Sequence, residues 1–163
     1  MSDRTTGTAN DSSASPAQGH DAGTGQPVFE RLDEAECLRL ISPGGLGRLV
    51  YSGRFGLTVL PVNYKLLDGS IVFRTAEASP TDEDLRTGIE HAEYSVAFEI
   101  DEIDFAARAG WSVLIHGSAH HVDAETERAA VVAAGVEPWA GGVRDLFLRI
   151  TPVRITGRRI RRV

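Results

Sequence analysis

The chain has 163 residues, 42% of them hydrophobic and 25% charged, with a formal net charge of −6. That suffices for one domain with a sizeable core, and no run approaches the ~18 consecutive apolar residues of a membrane-spanning helix. The single cysteine, Cys37, excludes an internal disulfide framework and a cysteine-based metal cluster. With no apolar h-region in the first ten residues, no secretory signal is expected, and the expected compartment is the reducing cytoplasm. The charge is uneven: residues 1–27 carry −2, residues 144–163 carry +6, and the stretch between them carries −10. An acidic chain is a poor nonspecific partner for nucleic acid, because phosphate contacts need clustered cations, which only the C-terminal arginines offer.

Residues 2–27 contain no Leu, Ile, Val, Phe, Tyr or Trp. Such a stretch cannot bury enough apolar surface to offset its ordering entropy. The expectation is a disordered tail over 1–27 and one folded domain over 28–163. A helix is expected to start at Asp33, which can cap the free N–H groups, with Glu36 at the capping-box position. Ala35, Leu38 and either Leu40 or Ile41 would form its apolar stripe, Cys37 would fill core space, and Ser42-Pro43-Gly44-Gly45 would end it.

The period then changes to that of strands. Leu46–Tyr51 reads as a strand, Ser52-Gly53-Arg54 as a turn, and Phe55–Leu66 as a longer strand. Pro61 within the longer one argues for an edge position or a bulge, since proline removes a ladder donor. Asp68-Gly69 signals a tight hairpin, with Ser70–Thr75 as the partner strand. Ser79-Pro80-Thr81 followed by Asp82, Glu83 and Asp84 reads as a short helix running to Gly88. Tyr94–Ile100 is a strand, 101–109 a mixed connection, and Gly110–Val122 a long strand bent at Gly117. Ala124–Ala134 is helical, stopped by Gly135 and Pro138. Leu146–Ile160 supplies the last one or two strands. The tally of hairpin-linked strands predicts a mainly β (α+β) protein: an antiparallel six- to seven-stranded barrel with short flanking helices.

Few residue patterns carry chemistry by themselves. His116 and His120 share a strand face but lie roughly 13 Å apart, and His121 points the other way, so a metal site is not expected and surface polar roles are. No Gly-x-Ser-x-Gly elbow and no phosphate-binding glycine loop before a helix is present; Gly44-Gly45-Leu46-Gly47 precedes a strand and reads as a helix stop. Arg74 and Thr75, at a strand end ahead of a helix start, offer a fork and a hydroxyl to an anion, or else are strand-end surface residues. Asp82, Glu83 and Asp84 crowd that seat with negative charge. Across the Asp68-Gly69 hairpin, Asn63 offers donor and acceptor atoms that suit the carbonyl and imide edge of a planar heterocycle, or else belongs to an ordinary bulged edge.

An ordered set of stretches, LGRLVY, LPVNYKLLDGSIVFRT, VAFEIDEID, GWSVLIHGSAHHV and RITPVRITGRRI, resembles the pyridoxamine 5′-phosphate oxidase-like family of flavin-binding split barrels. The likeness is greatest to its small actinobacterial-type members. The resemblance implies a split barrel that forms a homodimer and holds flavin mononucleotide (FMN) at the dimer interface. It implies that Val59, Pro61, Val62 and Asn63 line the isoalloxazine ring. Arg74 and Thr75 would hold the phosphate, and Ser79 would belong to the phosphate loop. Trp111 and Ser112 would approach from the partner side. Relatives read Arg-Thr-x-x-Gly-Ser-Lys where this chain has Ala78 for the glycine and Pro80 for the lysine. Losing one charge-assisted contact costs about 1.5–3 kcal/mol, or roughly tenfold to a hundredfold in affinity.

The implied activity is a flavin-dependent oxidoreductase acting on a small-molecule substrate, with no side chain assigned as catalytic acid or base. The alternatives are a flavin, deazaflavin or haem carrier or sensor without turnover, haem needing His116 or His120 as axial ligand, and a barrel kept for interaction through its Arg-rich end.

Overall fold

The computed structural model describes residues 25–86 and 93–162. Most of the expected tail, Gly88 and His91 lie outside the described residues. The elements in chain order are β1 (Pro27–Leu32), α1 (Glu34–Ile41), β2 (Gly45–Gly53), β3 (Gly56–Leu67), β4 (Ser70–Thr75), α2 (Pro80–Leu85), β5 (Tyr94–Asp104), β6 (Ala109–His121), α3 (Glu125–Ala133) and β7 (Leu146–Arg162). All strand pairings are antiparallel, in the order β1-β7-β4-β3-β2-β5-β6, and β7 also pairs with β6. That last pairing closes six strands into a ring.

The ring is split along one edge of β7. Leu146–Ile150 pair with β4 and Gly157–Arg162 pair with β1, while the other edge follows β6 from Leu148 to Ile160. Helix α1 packs on β7 there: the Cys37 sulfur lies against Gly157, where it would collide with an added Cβ. Asp33 caps α1 by accepting the Glu36 N–H at 2.8 Å. Its buried stripe is Cys37 and Ile41, four residues apart. The expected Ala35 is exposed instead. At the other end the Tyr64 hydroxyl donates to the Ile41 carbonyl at 3.0 Å, and burial pushes that phenol up to about 12.

The turn chemistry appears where the residues required it. Asp68 (φ 49°) and Gly69 (φ 75°) link Leu67 to Ser70 in a two-residue hairpin. Pro61 lies on the part of β3 that pairs with β2 only, because β4 joins β3 from Tyr64 onward. The bend expected at Gly117 is a register shift: His116 faces Arg154 and Gly117 faces Pro152, leaving Val153 as the extra residue. Two expectations are corrected: β5 runs on to Asp104, and α2 ends at Leu85 because Arg86 is already extended. Strand β1, over Pro27–Leu32, is an element for which the sequence raised no expectation.

The barrel interior centres on Phe98, with Tyr64 edge-on at 5.5 Å and Phe73 stacked at 6.4 Å between centroids. A second cluster of Val72, Val122, Val131, Val136 and Phe147 lies under α3 on the outside of β4. Strand β4 is therefore buried on both faces. No helix among the described residues is long and apolar enough to cross a membrane.

Because Gly157 is the place where α1, β1 and β7 meet, overpacking it acts on all three. Gly157→Ala is expected to lower unfolding stability by about 1–3 kcal/mol. Urea titration would show this as a lower midpoint at an unchanged m-value.

Candidate functional site

Two structural facts create a cleft on one side of the barrel. Strand β3 loses its β4 partner before Tyr64, and the chain between α3 and β7 crosses the gap. The cleft has a volume of about 200 Å³ and is lined by Pro61, Val62 and Asn63 from β3, Arg74 and Thr75 from β4, and Thr81 from α2. Five of the residues singled out from the sequence thus meet in one place. Ser79 joins through Thr75, their hydroxyls 2.9 Å apart. Val59 is 60% exposed and lies farther along β3. Trp111 and Ser112 line a different cleft, of about 370 Å³, on β6.

The segment 136–145 straps the first cleft. The Trp139 N–H donates to Asn63 Oδ1 at 2.8 Å, while Asn63 Nδ2 is buried with no partner. Arg74 Nε donates to the Arg144 carbonyl at 2.6 Å, and Nη2 reaches Asp145 at 3.4 Å. The Phe147 ring lies under two guanidinium groups, Arg74 at 5.0 Å and Arg128 at 5.5 Å. Sequence reasoning missed this strap. Its Gly/Pro-rich residues have no period, and nothing local links them to β3 and β4.

The turn from Thr75 to α2 is organised by Asp82, another residue whose role was missed. Asp82 is 1% exposed. Its carboxylate accepts the Ala78 N–H at 2.8 Å and takes Arg86 at 2.8 Å and His121 at 2.8 Å. Burial pushes its pKa up, but Arg86, the Ala78 N–H and His121 together hold it below the ordinary 3.8. The acidic trio does not face the seat unopposed, because Arg54 binds Asp84 at 2.6 Å and Glu83 at 2.7 Å. The histidines are not all surface groups either. His121 pairs with Asp82 and His120 with Glu127 at 3.2 Å, on opposite faces of β6, while His116 is exposed.

Ala78 sits at φ 53°. This is the left-handed region where a Cβ costs roughly 1–2 kcal/mol, and it explains why a glycine suits this turn position.

The family model for pyridoxamine 5′-phosphate oxidase matches residues 33–159. The chain belongs to that family, and its fold is the family's split barrel. It is 32% identical over 129 residues to the uncharacterized protein Rv0080 of Mycobacterium tuberculosis, covering 79% of this chain and 84% of that one. The FAD binding protein from Mycobacterium smegmatis is 30% identical with a TM-score of 0.69, over 81% of this chain and 98% of that one. A FAD-binding protein from Mesorhizobium loti shares the fold at 18% identity and a TM-score of 0.65, over 83% and 98% of the two chains.

Two outcomes are expected from this turn. Ala78→Gly should raise thermal stability by the equivalent of about 1 kcal/mol, by removing the left-handed strain. Because the folded pKa of Asp82 is depressed, its contribution is present above about pH 4 and is lost as pH falls through the folded value. Asp82→Asn should therefore cost roughly 1.5–3 kcal/mol at pH 7 and flatten the acid limb of the stability profile below about pH 4, as measured by urea unfolding on the acid side.

Proposed function

We propose that the protein binds a flavin in the cleft between β3 and β4 and acts as a flavin-dependent oxidoreductase on a small-molecule substrate. The observation that carries this reading is the convergence of Asn63, Arg74 and Thr75 on one cleft, with the Asn63 amide nitrogen buried and unsatisfied. An unpaired buried donor is costly, and a ring carbonyl at the heterocycle edge would satisfy it. Thr75 supplies a hydroxyl and Arg74 a guanidinium with donors left over, which fits one phosphate. The residues present therefore suit the ring edge and the phosphate of FMN. The 30% identical Mycobacterium smegmatis relative, a FAD binding protein, supports a flavin more broadly.

When bound, the cofactor supplies hydride and electron transfer at its ring system. This chain's own residues would orient it: the β3 backbone at Pro61 and Val62 against the ring, Asn63 at its edge, and Arg74 and Thr75 at the phosphate, with Ser79 behind Thr75.

We propose further that a homodimer completes the site. Leu57 (84% exposed), Val59 (60%) and Pro61 share one outward face of β3, an apolar stripe that a second copy would cover. Trp111 and Ser112 would then reach the flavin from the partner.

Absorbance after incubation with FMN, FAD or a deazaflavin, followed by dialysis, tests the reading directly. Retained flavin bands are expected, with FMN favoured. Arg74→Ala should weaken retention roughly tenfold to a hundredfold. Val59→Asp should shift light scattering from dimer to monomer and release the flavin. A wild-type protein that stays colourless with all three cofactors overturns the proposal.

A further inference from the structure

The strap over 136–145 alternates between two cavities. Pro138 and Ala140 line the flavin cleft, while Glu137 and Trp139 line a second cavity of about 390 Å³. That second cavity also takes in Pro43 and Gly44, just past the end of α1, and Lys65 of β3. Asn63 belongs to both cavities. It lies two residues before Lys65 on β3, so the two side chains share a face of the strand. Cavities in the range of roughly 300–1,000 Å³ suit small-molecule ligands.

Lys65 is a cation held in place before any ligand arrives. Its Nζ donates to the Pro43 carbonyl at 3.2 Å. Its stem lies on Gly44, where an added Cβ would sit 2.7 Å from Lys65 Cδ. An ammonium has three hydrogens, so two are left to donate. Among the described residues Lys65 has no carboxylate partner and Glu137 has no cation partner, although both line one cavity. Trp139 is 77% exposed, and its N–H is tied to Asn63 Oδ1 at 2.8 Å. The Asn63 amide nitrogen carries two hydrogens and has no acceptor, so it can serve both cavities.

We propose that this cavity seats a small zwitterion with the chemistry of an amino acid. Its carboxylate meets Lys65 and Asn63, its ammonium meets Glu137, and its apolar or aromatic body rests against Trp139. Neither charge alone uses the site. A simple carboxylate leaves Glu137 unanswered and is repelled by it, and a simple amine stands in the same relation to Lys65. The fixed position of Lys65 lowers the entropy cost of binding. Binding needs only this chain's own residues. Taking the occupant as the substrate rests on the proposed flavin cleft, because Asn63 is the wall common to both cavities and would set the ligand beside the ring edge.

Calorimetric titration of the full-length protein with phenylalanine, phenylpropionate and phenethylamine, before and after incubation with FMN, tests this. Phenylalanine is expected to bind about tenfold or more tightly than either singly charged analogue. Lys65→Met should weaken phenylalanine and phenylpropionate about tenfold or more and leave phenethylamine within about twofold. Glu137→Gln should do the converse, weakening phenylalanine and phenethylamine and sparing phenylpropionate. Unchanged urea midpoints would show that both variants are folded. With FMN bound, phenylalanine should shift the flavin absorbance bands; bands that stay in place overturn the substrate reading. A wild type that binds none of the three ligands overturns the proposal, even where flavin is retained. So does a Lys65→Met variant that weakens all three equally. Phenylalanine binding by a protein that retains no flavin upholds the zwitterion site and overturns the flavin reading alone.

Discussion

The fold depends on the backbone of one strand. Residues Leu146 to Arg162 form 17 consecutive strand positions, and each N–H and C=O on both edges needs a partner or water. No single neighbour is long enough on one edge, so β4 takes the first part of that edge and β1 the last, while β6 runs along the other. The extra residue at Val153 re-aims the strand between the two regimes. From that arrangement follow the closure of the barrel, the split between β4 and β1, and the seat for α1 over Gly157.

The region around the β3–β4 cleft shows how charge is managed where the sheet opens. A phosphate-accepting turn would present free N–H groups and a cation. Here the Ala78 N–H is already taken by the buried carboxylate of Asp82, and Arg86 and His121 neutralise that carboxylate. Arg54 absorbs the rest of the acidic trio. What remains open to a ligand is the side of Thr75, Arg74 and Asn63 that faces the strap. Two of these three are already held by strap backbone, which keeps their side chains oriented. Orientation of this kind lowers the entropy cost of binding.

The C-terminal charge of +6 is not a single feature once the strands are laid side by side. One face of β7 spends its arginines on Glu30 and Glu36, fastening β1 and α1 to the barrel. The other face leaves Arg154 and Arg158 beside Arg31 in a groove with Ser112. The first set holds elements together, the second has no carboxylate partner among the described residues, and the sign of the charge alone does not separate them.

Much of the fold was legible in the residues because the relevant signals are local. The Asp33 cap, the Asp68-Gly69 turn, the Ser70–Thr75 strand, the Pro61 edge and the Gly117 bend each depend on backbone preferences of a few neighbouring residues. Strand β1 was not legible, since Val28–Leu32 is short and has a partner 130 residues away that no local pattern reveals. The site divides in the same way. The sequence singled out Asn63, Arg74 and Thr75 by their chemistry, and their separation along one hairpin made their meeting readable. It determined strands, turns and charge. Only the tertiary structure decided which arginines are paired, that Asp82 is a buried hub, and that residues 136–145 strap the cleft. Those facts arise from long-range register and from the closing of loops, and neither is encoded in the spacing of neighbouring side chains.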